Sequence, residues 1–388
     1  MSSPRTRPSP LAVSTAVLPV LGVLVLALAW TAELGVADQV LIAVLLVACV
    51  LSAVHHAEVV AHRVGEPYGS LILAVAVTII EVGLIITLML SGTAGAESLA
   101  RDTAFAALMI TINGIAGLVL LLGALRGHIA RFNAVGTASA LAVALSIATL
   151  TLVLPKFTTA EPGPIFTASQ LTFAAAASAV LYLTFVFVQN IRHRDYFLPP
   201  KVTAATPVAA GAKLPGGDES AGYREQDGED QHSVSPSDRA AWTSAALLLL
   251  SLVAVVGLAK IESPAIEAGV SSAGLPASFV GVVIAVIVLF PEALAAARNA
   301  VRDRVQVGLN LAYGSAAASI GLTIPTIAVA SIWLPGELIL GLSSLQITLL
   351  ALTGLLAALT LLPGRATVMQ ATMHLVVFAS FLYFAAVP

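Results

Sequence analysis

Residues 69–91 read GSLILAVAVTIIEVGLIITLMLS, an apolar run that is interrupted by a single carboxylate, Glu81. A helix of about 20 apolar residues is long enough to cross the ~30 Å hydrocarbon layer of a membrane. A charged side chain at the centre of such a helix costs about 3 kcal/mol on insertion scales, so it usually faces a cavity or a partner. The stretch therefore predicts a membrane helix that carries a functional acid.

The same pattern recurs along the whole chain. Of its 388 residues, 58% are hydrophobic and 10% are charged, whereas about a quarter of the residues in a soluble domain are charged. Repeated apolar runs predict an all-α integral membrane protein with about eleven transmembrane helices, the first of them retained rather than cleaved as a signal. The predicted spans are residues 11–31, 37–60, 69–92, 103–125, 133–155, 168–190, 240–260, 276–298, 305–331, 338–361 and 366–387.

The distribution of basic residues predicts the orientation. Cytoplasmic loops of membrane proteins are enriched in lysine and arginine. With the N-terminus inside, only Arg101, Lys156 and Lys260 of the 18 basic residues fall on the outer side. We therefore expect a multi-pass protein of the bacterial inner membrane, with a cytoplasmic N-terminus and an external C-terminus. The single cysteine, Cys49, excludes an intrachain disulfide.

The domain organisation is predicted from one abrupt change of composition. Residues 191–239 are rich in proline, glycine and acidic side chains, which indicates a disordered cytoplasmic linker. Its acids suggest either a solvated tether or a cation-binding regulatory arm. The predicted units are an N-terminal tail with helix 1 (1–36), a five-helix repeat (37–190), the linker, and a second five-helix repeat (240–388).

An odd number of spans in each half makes the two halves enter the membrane in opposite senses, which is the arrangement of inverted-repeat transporters. The second span of the second half reads GVVIAVIVLFPE, residues 281–292, and it carries Glu292 where the first half carries Glu81. The remaining acidic residues fall in loops, in the linker or near the ends of spans. Two buried acids at matched positions predict a shared site.

The neighbouring oxygen atoms suggest what this site binds. Pro291 has no N–H and so frees the backbone carbonyl of Ile287. The other candidates are side-chain oxygens on the spans that carry or follow the glutamates, namely Thr78, Asn113, Ser315 and Ser319. Such hard oxygens suit Ca²⁺, Mg²⁺ or Na⁺, and two carboxylates balance the charge of one divalent cation. After the cation has left, the two carboxylates repel each other and can take protons instead. The pattern predicts a cation/proton antiporter, with a lipid bilayer, cations and protons as partners, no cofactor and no nucleic acid.

Two longer stretches around these acids resemble the paired motifs of a known family. HHAEVVAHRVGEPYGSLILAVAVTIIEVGLI (55–85) and LFPEALAAARNAVRDRVQVGLNLAYGSAAASIGLTIP (289–325) are similar to the ChaA-type calcium/proton antiporters of the cation/calcium exchanger superfamily. The resemblance implies export of Ca²⁺, and in related members Na⁺ or K⁺, in exchange for protons. It implies that Glu81 and Glu292 coordinate the cation and carry protons, and that Asn113 and Ser315 are polar positions of the adjacent helices.

This chain departs from the plant and fungal branch of that superfamily at three positions. That branch has an asparagine three residues before each glutamate, where Thr78 and Leu289 stand here. It also has a glutamine where this chain has Ala318. The predicted shell is therefore poorer in amides, which leaves the choice of cation open.

Two alternative functions come from other features. His55, His56, Glu58 and His62 lie together near the end of the second span. They could simply be polar residues at the membrane interface, or they could sense pH, admit protons, or hold zinc in an intramembrane hydrolase. The H-E-x-x-H spacing of metalloproteases is absent, which argues against an enzyme. A cation channel is the other alternative, although channels commonly use rings of ligands from several subunits. His374, alone on an apolar span, is predicted to form an interhelical hydrogen bond.

Overall fold

The computed structural model describes residues 10–65, 68–90, 92, 95–199, 236–334 and 336–388. The described chain is built almost entirely from helices, as its apolar runs predict. They are α1 (Pro10–Ala29), α2 (Val36–Val64), α3 (Tyr68–Met89), α4 (Leu99–Met109), α5 (Ala116–Gly127), α6 (Ala134–Ala148), α7 (Ala168–Phe187), α8 (Asp238–Ser272), α9 (Phe279–Val301), α10 (Val305–Ala330), α11 (Ser344–Leu361) and α12 (Val368–Ala386).

Ten helical segments of the described residues are long and apolar enough to cross a membrane, and Thr15–Ala29 of α1 is a shorter apolar helix. α4 and α5 form one of these segments, Ala96–Gly127, because a π-helical turn at Ile110–Ile115 joins them. Each predicted span overlaps one helical segment. The predicted class, an all-α membrane protein with about eleven spans, is therefore confirmed.

Side-chain caps fix where several helices begin after their loops. Thr167 and Gln170 form a capping box at the start of α7, and Ser343 and Gln346 form another at the start of α11. In such a box each side chain bonds to the backbone N–H of the other residue, so two N–H groups that the helix leaves unpaired are satisfied. These caps fix the residues at which α7 and α11 begin.

Contacts between loops show that the spans alternate in direction. The strand β1 (Ala130–Arg131), between α5 and α6, pairs antiparallel with β2 (Arg365–Ala366), between α11 and α12. Arg126 Nε lies 3.7 Å from Asp303 Oδ1, and Arg63 forms an ion pair with Asp238. All of these loops lie at one end of the bundle, which we call the arginine end. The opposite end, which we call the far end, holds the contact of the Ile339 N–H with the Glu97 carbonyl at 3.0 Å.

The helices pack around two hydrophobic cores. The larger core joins α4–α7 and α10–α12, and the second joins α1, α2, α3 and α8. α9 belongs to both, because Ala285 and Leu289 face the larger core while Ile284 and Val288 face the second. α3 therefore faces α10 across the seam between two separately packed bodies.

Two acidic residues beyond the predicted pair are buried. α8 ends at Ser272 instead of near residue 260, so Glu262 lies within the helix with 2% of its surface exposed. Asp102 is 4% exposed, and its carboxylate pairs with Arg101 at 2.8 Å. Both acids are thus buried against neighbouring helices, which is a different property from their depth in the membrane. The central part of the predicted linker, residues 200–235, lies outside the described residues.

Candidate functional site

Glu81 of α3 and Glu292 of α9 line the same cavity, which has a volume of about 180 Å³ and which we call the central cavity. Both side chains are buried, with 2% and 8% of their surface exposed. The acids at matched positions of the two halves therefore share one chamber at the seam between the two cores.

Glu81 is held by two hydroxyl groups of α10. Ser319 Oγ donates to Glu81 Oε1 at 2.7 Å, and Thr323 Oγ1 donates to Glu81 Oε2 at 3.0 Å. The two donors are one helical turn apart, so they present neighbouring hydroxyls to the two oxygens of one carboxylate. Hydrogen bonds of this kind stabilise the charged carboxylate and fix its orientation.

Glu292 lies in a different environment. Its Oε2 is buried and has no hydrogen-bond partner among the described residues. A buried polar atom without a partner is costly, and native proteins keep few of them. This oxygen is therefore available to a ligand that enters the cavity.

The other predicted ligands divide into two groups. Thr78, Ser315 and Ser319 line the central cavity together with the glutamates. Asn113 and Ile287 are not among its lining residues. The structure thus brings three of the predicted neutral ligands to the cavity and leaves two elsewhere.

Asn113 takes part in a separate buried network between the π-helical turn at Ile110–Ile115, α11 and α12. Its Nδ2 donates to Thr353 Oγ1 at 2.8 Å, and its Oδ1 lies 3.0 Å from His374 Nδ1. The second ring nitrogen of His374 lies 3.3 Å from Thr360 Oγ1. His374 therefore forms interhelical hydrogen bonds, as its sequence context predicts, and the Asn113 amide is engaged away from the cavity.

Thr323 is a site residue that the sequence analysis did not include. It follows Ser319 by one turn and continues the helical stripe that contains Ser315 and Ser319. That spacing was visible in the sequence. What the sequence did not contain was the position of Glu81 opposite this stripe, which depends on the packing of α3 against α10.

The central cavity extends from the glutamates toward the arginine end. Its lining there is polar, with Glu58, Gln189, Asn190 and Asn310. Toward the far end the next residues are apolar and tightly packed, with Ile85 fully buried and Ile284 1% exposed. The chamber thus reaches one end of the bundle and is closed toward the other.

The comparisons with known proteins agree with this architecture. The profile of the family "Sodium/calcium exchanger protein" matches residues 36–190 and 243–387, one stretch on each side of the predicted linker. The chain belongs to this exchanger family. The family relation explains why each half carries one of the two cavity glutamates.

Two curated relatives match most of the chain. The putative ionic transporter y4hA of Sinorhizobium fredii (strain NBRC 101917 / NGR234) is 43% identical over 344 residues, which are 89% of this chain and 87% of that protein. The sodium-potassium/proton antiporter ChaA of Escherichia coli (strain K12) is 31% identical over 370 residues, 94% of each chain. The predicted ChaA-type resemblance is thereby confirmed.

Solved structures of exchangers share the fold. Native YfkE has a TM-score of 0.67 at 14% identity, and it covers 97% of this chain and 99% of its own. The H⁺/Ca²⁺ exchanger CAX has a TM-score of 0.67 at 16% identity, with 96% and 87% covered. At these identities the likeness establishes the fold.

The histidine cluster near the end of α2 does not form a metal centre. His56 is buried and its Nε2 lies 3.1 Å from the Thr15 carbonyl of α1, whereas His55 and Glu58 are exposed. Within the described ranges, no group of three or more His, Cys, Asp or Glu side chains is placed to hold a metal. The hydrolase alternative therefore has no support from the geometry, and the exchanger relatives do not support a channel.

Proposed function

We propose that this exchanger is a secondary active antiporter that exports Ca²⁺ from the bacterial cytoplasm in exchange for protons, with Na⁺ or K⁺ as further substrates. The observation that carries the proposal is the shared cavity of Glu81 and Glu292. Two buried acids from the two halves face one chamber that reaches one end of the bundle. This arrangement is suited to binding a cation midway across the membrane.

The chemistry of the cavity supports a hard cation as the substrate. Two carboxylates supply the charge that a divalent ion requires, and Thr78, Ser315 and Ser319 supply neutral oxygens. Such a set without sulfur or imidazole favours Ca²⁺ or alkali ions over zinc or copper.

The two glutamates also account for coupling to protons. When the cation leaves, two carboxylates that face one cavity repel each other, and protonation removes the repulsion. Moving one charge against 100 mV costs about 2.3 kcal/mol, so a divalent cation that leaves the cell needs returning charge. Two protons per Ca²⁺ cancel the electrical cost. Exchange is obligatory if the empty site, with both glutamates charged, cannot change its access from one membrane face to the other.

The direction of the central cavity suggests the state that the structure represents. The cavity reaches the arginine end, where the positive-inside rule predicts the cytoplasm. We therefore interpret the structure as an inward-open state, in which the N-terminus is cytoplasmic and the C-terminus is outside. Alternating access then requires the helices around the two glutamates to repack, so that the cavity closes toward the arginine end and opens toward the far end.

The E. coli relative is named for sodium, potassium and protons. We therefore include alkali ions beside Ca²⁺ among the proposed substrates.

Purified protein in liposomes with a trapped pH dye provides the test. We expect external Ca²⁺ to drive proton efflux from liposomes, to saturate, and to exceed the response to Na⁺, K⁺ and Mg²⁺. The Glu161→Gln variant, altered in an exposed loop, serves as the matched control for loss of a carboxylate. Cation flux without proton movement would contradict the antiport mechanism.

A further inference from the structure

A second cavity lies at the far end of the bundle, on the opposite side from the mouth of the central cavity. Its volume is about 340 Å³ and its lining includes Leu88, Ala96, Glu267, Ser271, Ala277 and Val280. These residues come from the end of α3, the start of the Ala96–Gly127 span, the end of α8 and the start of α9. We call this space the far cavity.

The far cavity and the central cavity are related by the inverted repeat. Among the helices that line the central cavity are α2, α3 and α9, and their counterparts in the other half, α8, α9 and α3, line the far cavity. The central cavity is also lined by α7 and α10, and α12, the counterpart of α7, does not line the far cavity. Each cavity also has one acid on the first helix of a repeat. Glu58 precedes Glu81 and Glu267 precedes Glu292 by nearly the same length of chain. The far cavity thus repeats the central one at the other face.

Only a thin barrier separates the two spaces. On α3, Glu81 lines the central cavity and Leu88 lines the far cavity, and the helix between them is about 10 Å long. On α9 the corresponding residues are Leu289 and Val280, about 13 Å apart along the helix. Apolar side chains fill the gap, with Ile85 fully buried and Ile284 1% exposed.

Glu267 is the carboxylate that the far cavity presents to an incoming cation. It is half-buried at the cavity wall, and Ser263 Oγ donates to its Oε1 at 3.2 Å. Ser271, one turn further along α8, adds a hydroxyl to the same wall. A carboxylate in a partly enclosed cleft raises the local concentration of cations.

We propose that the far cavity is the cation vestibule of the opposite membrane face and that Glu267 is its cation-binding carboxylate. This inference rests on the proposed antiport function and adds a specific residue and route to it. During alternating access the barrier at Ile85 and Ile284 opens, and the cation then passes between the glutamate pair and Glu267.

The vestibule is tested by thiol labelling, which needs no transport activity. Because Cys49 is the only cysteine, Cys49→Ala gives a cysteine-free background. A membrane-impermeant thiol reagent is then applied to either face of membrane vesicles. We expect Ala74→Cys, in the central cavity, to react from the arginine end, and Val280→Cys to react from the far end. Leu275→Cys, also at the far cavity, replaces Val280→Cys if that variant does not fold.

Two controls limit the interpretation of the labelling. Leu249→Cys on the exposed apolar face of α8 should react from neither side, because lipid covers it. Ile284→Cys, in the barrier, should react more slowly than Val280→Cys from the far end. Reaction of both far-cavity cysteines from the arginine end, or from neither end, would overturn the vestibule.

The role of Glu267 is tested by exchange kinetics measured separately at the two faces. Glu267→Gln should raise the half-saturating Ca²⁺ concentration at the far face about three- to tenfold and leave the other face unchanged. Glu337→Gln, an exposed acid at the same end, is the matched control and should leave both faces unchanged. If Glu267→Gln and the control had the same half-saturating Ca²⁺ concentration at the far face, the Glu267 carboxylate would not bind the cation there. A wild-type protein without exchange would refute the antiport function, while the labelling would still report the vestibule.

Discussion

Glu81 and Glu292 occupy the same position in the two halves of the molecule, but their surroundings differ. Glu81 accepts one hydroxyl hydrogen bond on each carboxylate oxygen, from Ser319 and Thr323 of α10. Glu292 keeps one buried oxygen without a partner among the described residues. The two matched glutamates therefore differ in their hydrogen bonds. The protein bonds to both carboxylate oxygens of Glu81, whereas Glu292 Oε2 is available to a ligand.

The difference arises in the helices that follow the glutamates. α10 is a continuous helix and turns its hydroxyls toward Glu81. Its counterpart is broken by the π-helical turn at Ile110–Ile115, which contains Asn113. One inserted residue rotates the following helix by about 100°, and such turns often occur at functional sites. Asn113 lies within this turn and contacts Thr353 and His374, and none of the described residues of the first half donates to Glu292 Oε2.

The largest expected effect comes from removing either charge. We predict that Glu81→Gln and Glu292→Gln each abolish Ca²⁺-driven proton movement in inside-out vesicles, because one remaining carboxylate neither balances a divalent cation nor exchanges two protons. Membrane insertion should be retained. The measurement is dye-reported pH change on Ca²⁺ addition, normalised to the amount of protein, with Glu161→Gln as control. Full activity in either variant would refute the paired site.

The hydroxyl pair that holds Glu81 should have the next largest effect. In the Ser319→Ala/Thr323→Ala double variant, we expect apparent cation affinity to fall about tenfold or more, because each hydrogen bond to a charged group contributes about 1.5–3 kcal/mol. Thr326→Ala is the matched control, since its hydroxyl bonds to the Leu322 carbonyl on the exposed side of the same helix. An unchanged half-saturation constant in the double variant would show that these bonds do not shape the site.

The next two variants compare a residue that lines the cavity, Ser315, with one that lies in a separate hydrogen-bond network, Asn113. Ser315→Ala should weaken apparent affinity about threefold, because it removes one neutral oxygen from the cavity wall. Asn113→Ala should leave affinity unchanged and lower the thermal unfolding temperature in detergent, because it leaves Thr353 and His374 without their partner. If Asn113→Ala weakened affinity more than Ser315→Ala did, our placement of Asn113 outside the site would be wrong.

The smallest effects on transport concern Asp102 and Asp303, each of which follows an arginine in the sequence. Asp102 is buried and bonds to Arg101 and Ser98, so Asp102→Asn should lower unfolding stability by about 1–3 kcal/mol. Asp303 is exposed and has a φ of 60°, a conformation that asparagine also adopts, so Asp303→Asn should change stability by less than about 0.5 kcal/mol. Thermal unfolding of the two variants gives the comparison, and equal losses would contradict it.

The fold could be predicted closely because each span is a local property of the sequence. An apolar run of about 20 residues forms a membrane helix whatever it packs against, since the bilayer requires its backbone to be hydrogen-bonded internally. The weakest boundary was the end of α8, which continues to Ser272 through a less apolar segment. Packing buries Glu262 there, and hydropathy alone does not register packing.

The candidate site could be predicted only in part. Glu81 and Glu292 stand out because a carboxylate within an apolar run is costly, and Thr78, Ser315 and Ser319 lie near them on the same or the following span. Thr323 was missed and Asn113 was included, although both lie on the spans that follow the glutamates. Distance along the chain does not distinguish a helix face that meets the cavity from one that meets another helix.

The sequence by itself determined the membrane class and the position of the two acids within apolar helices, because the hydropathy of a span depends on short-range composition. Only the tertiary structure decided which hydroxyls bond to Glu81, which oxygen of Glu292 stays free, and that a second cavity faces the other end. Those features depend on how each helix is rotated about its axis, and that rotation is set by contacts between residues far apart in the chain.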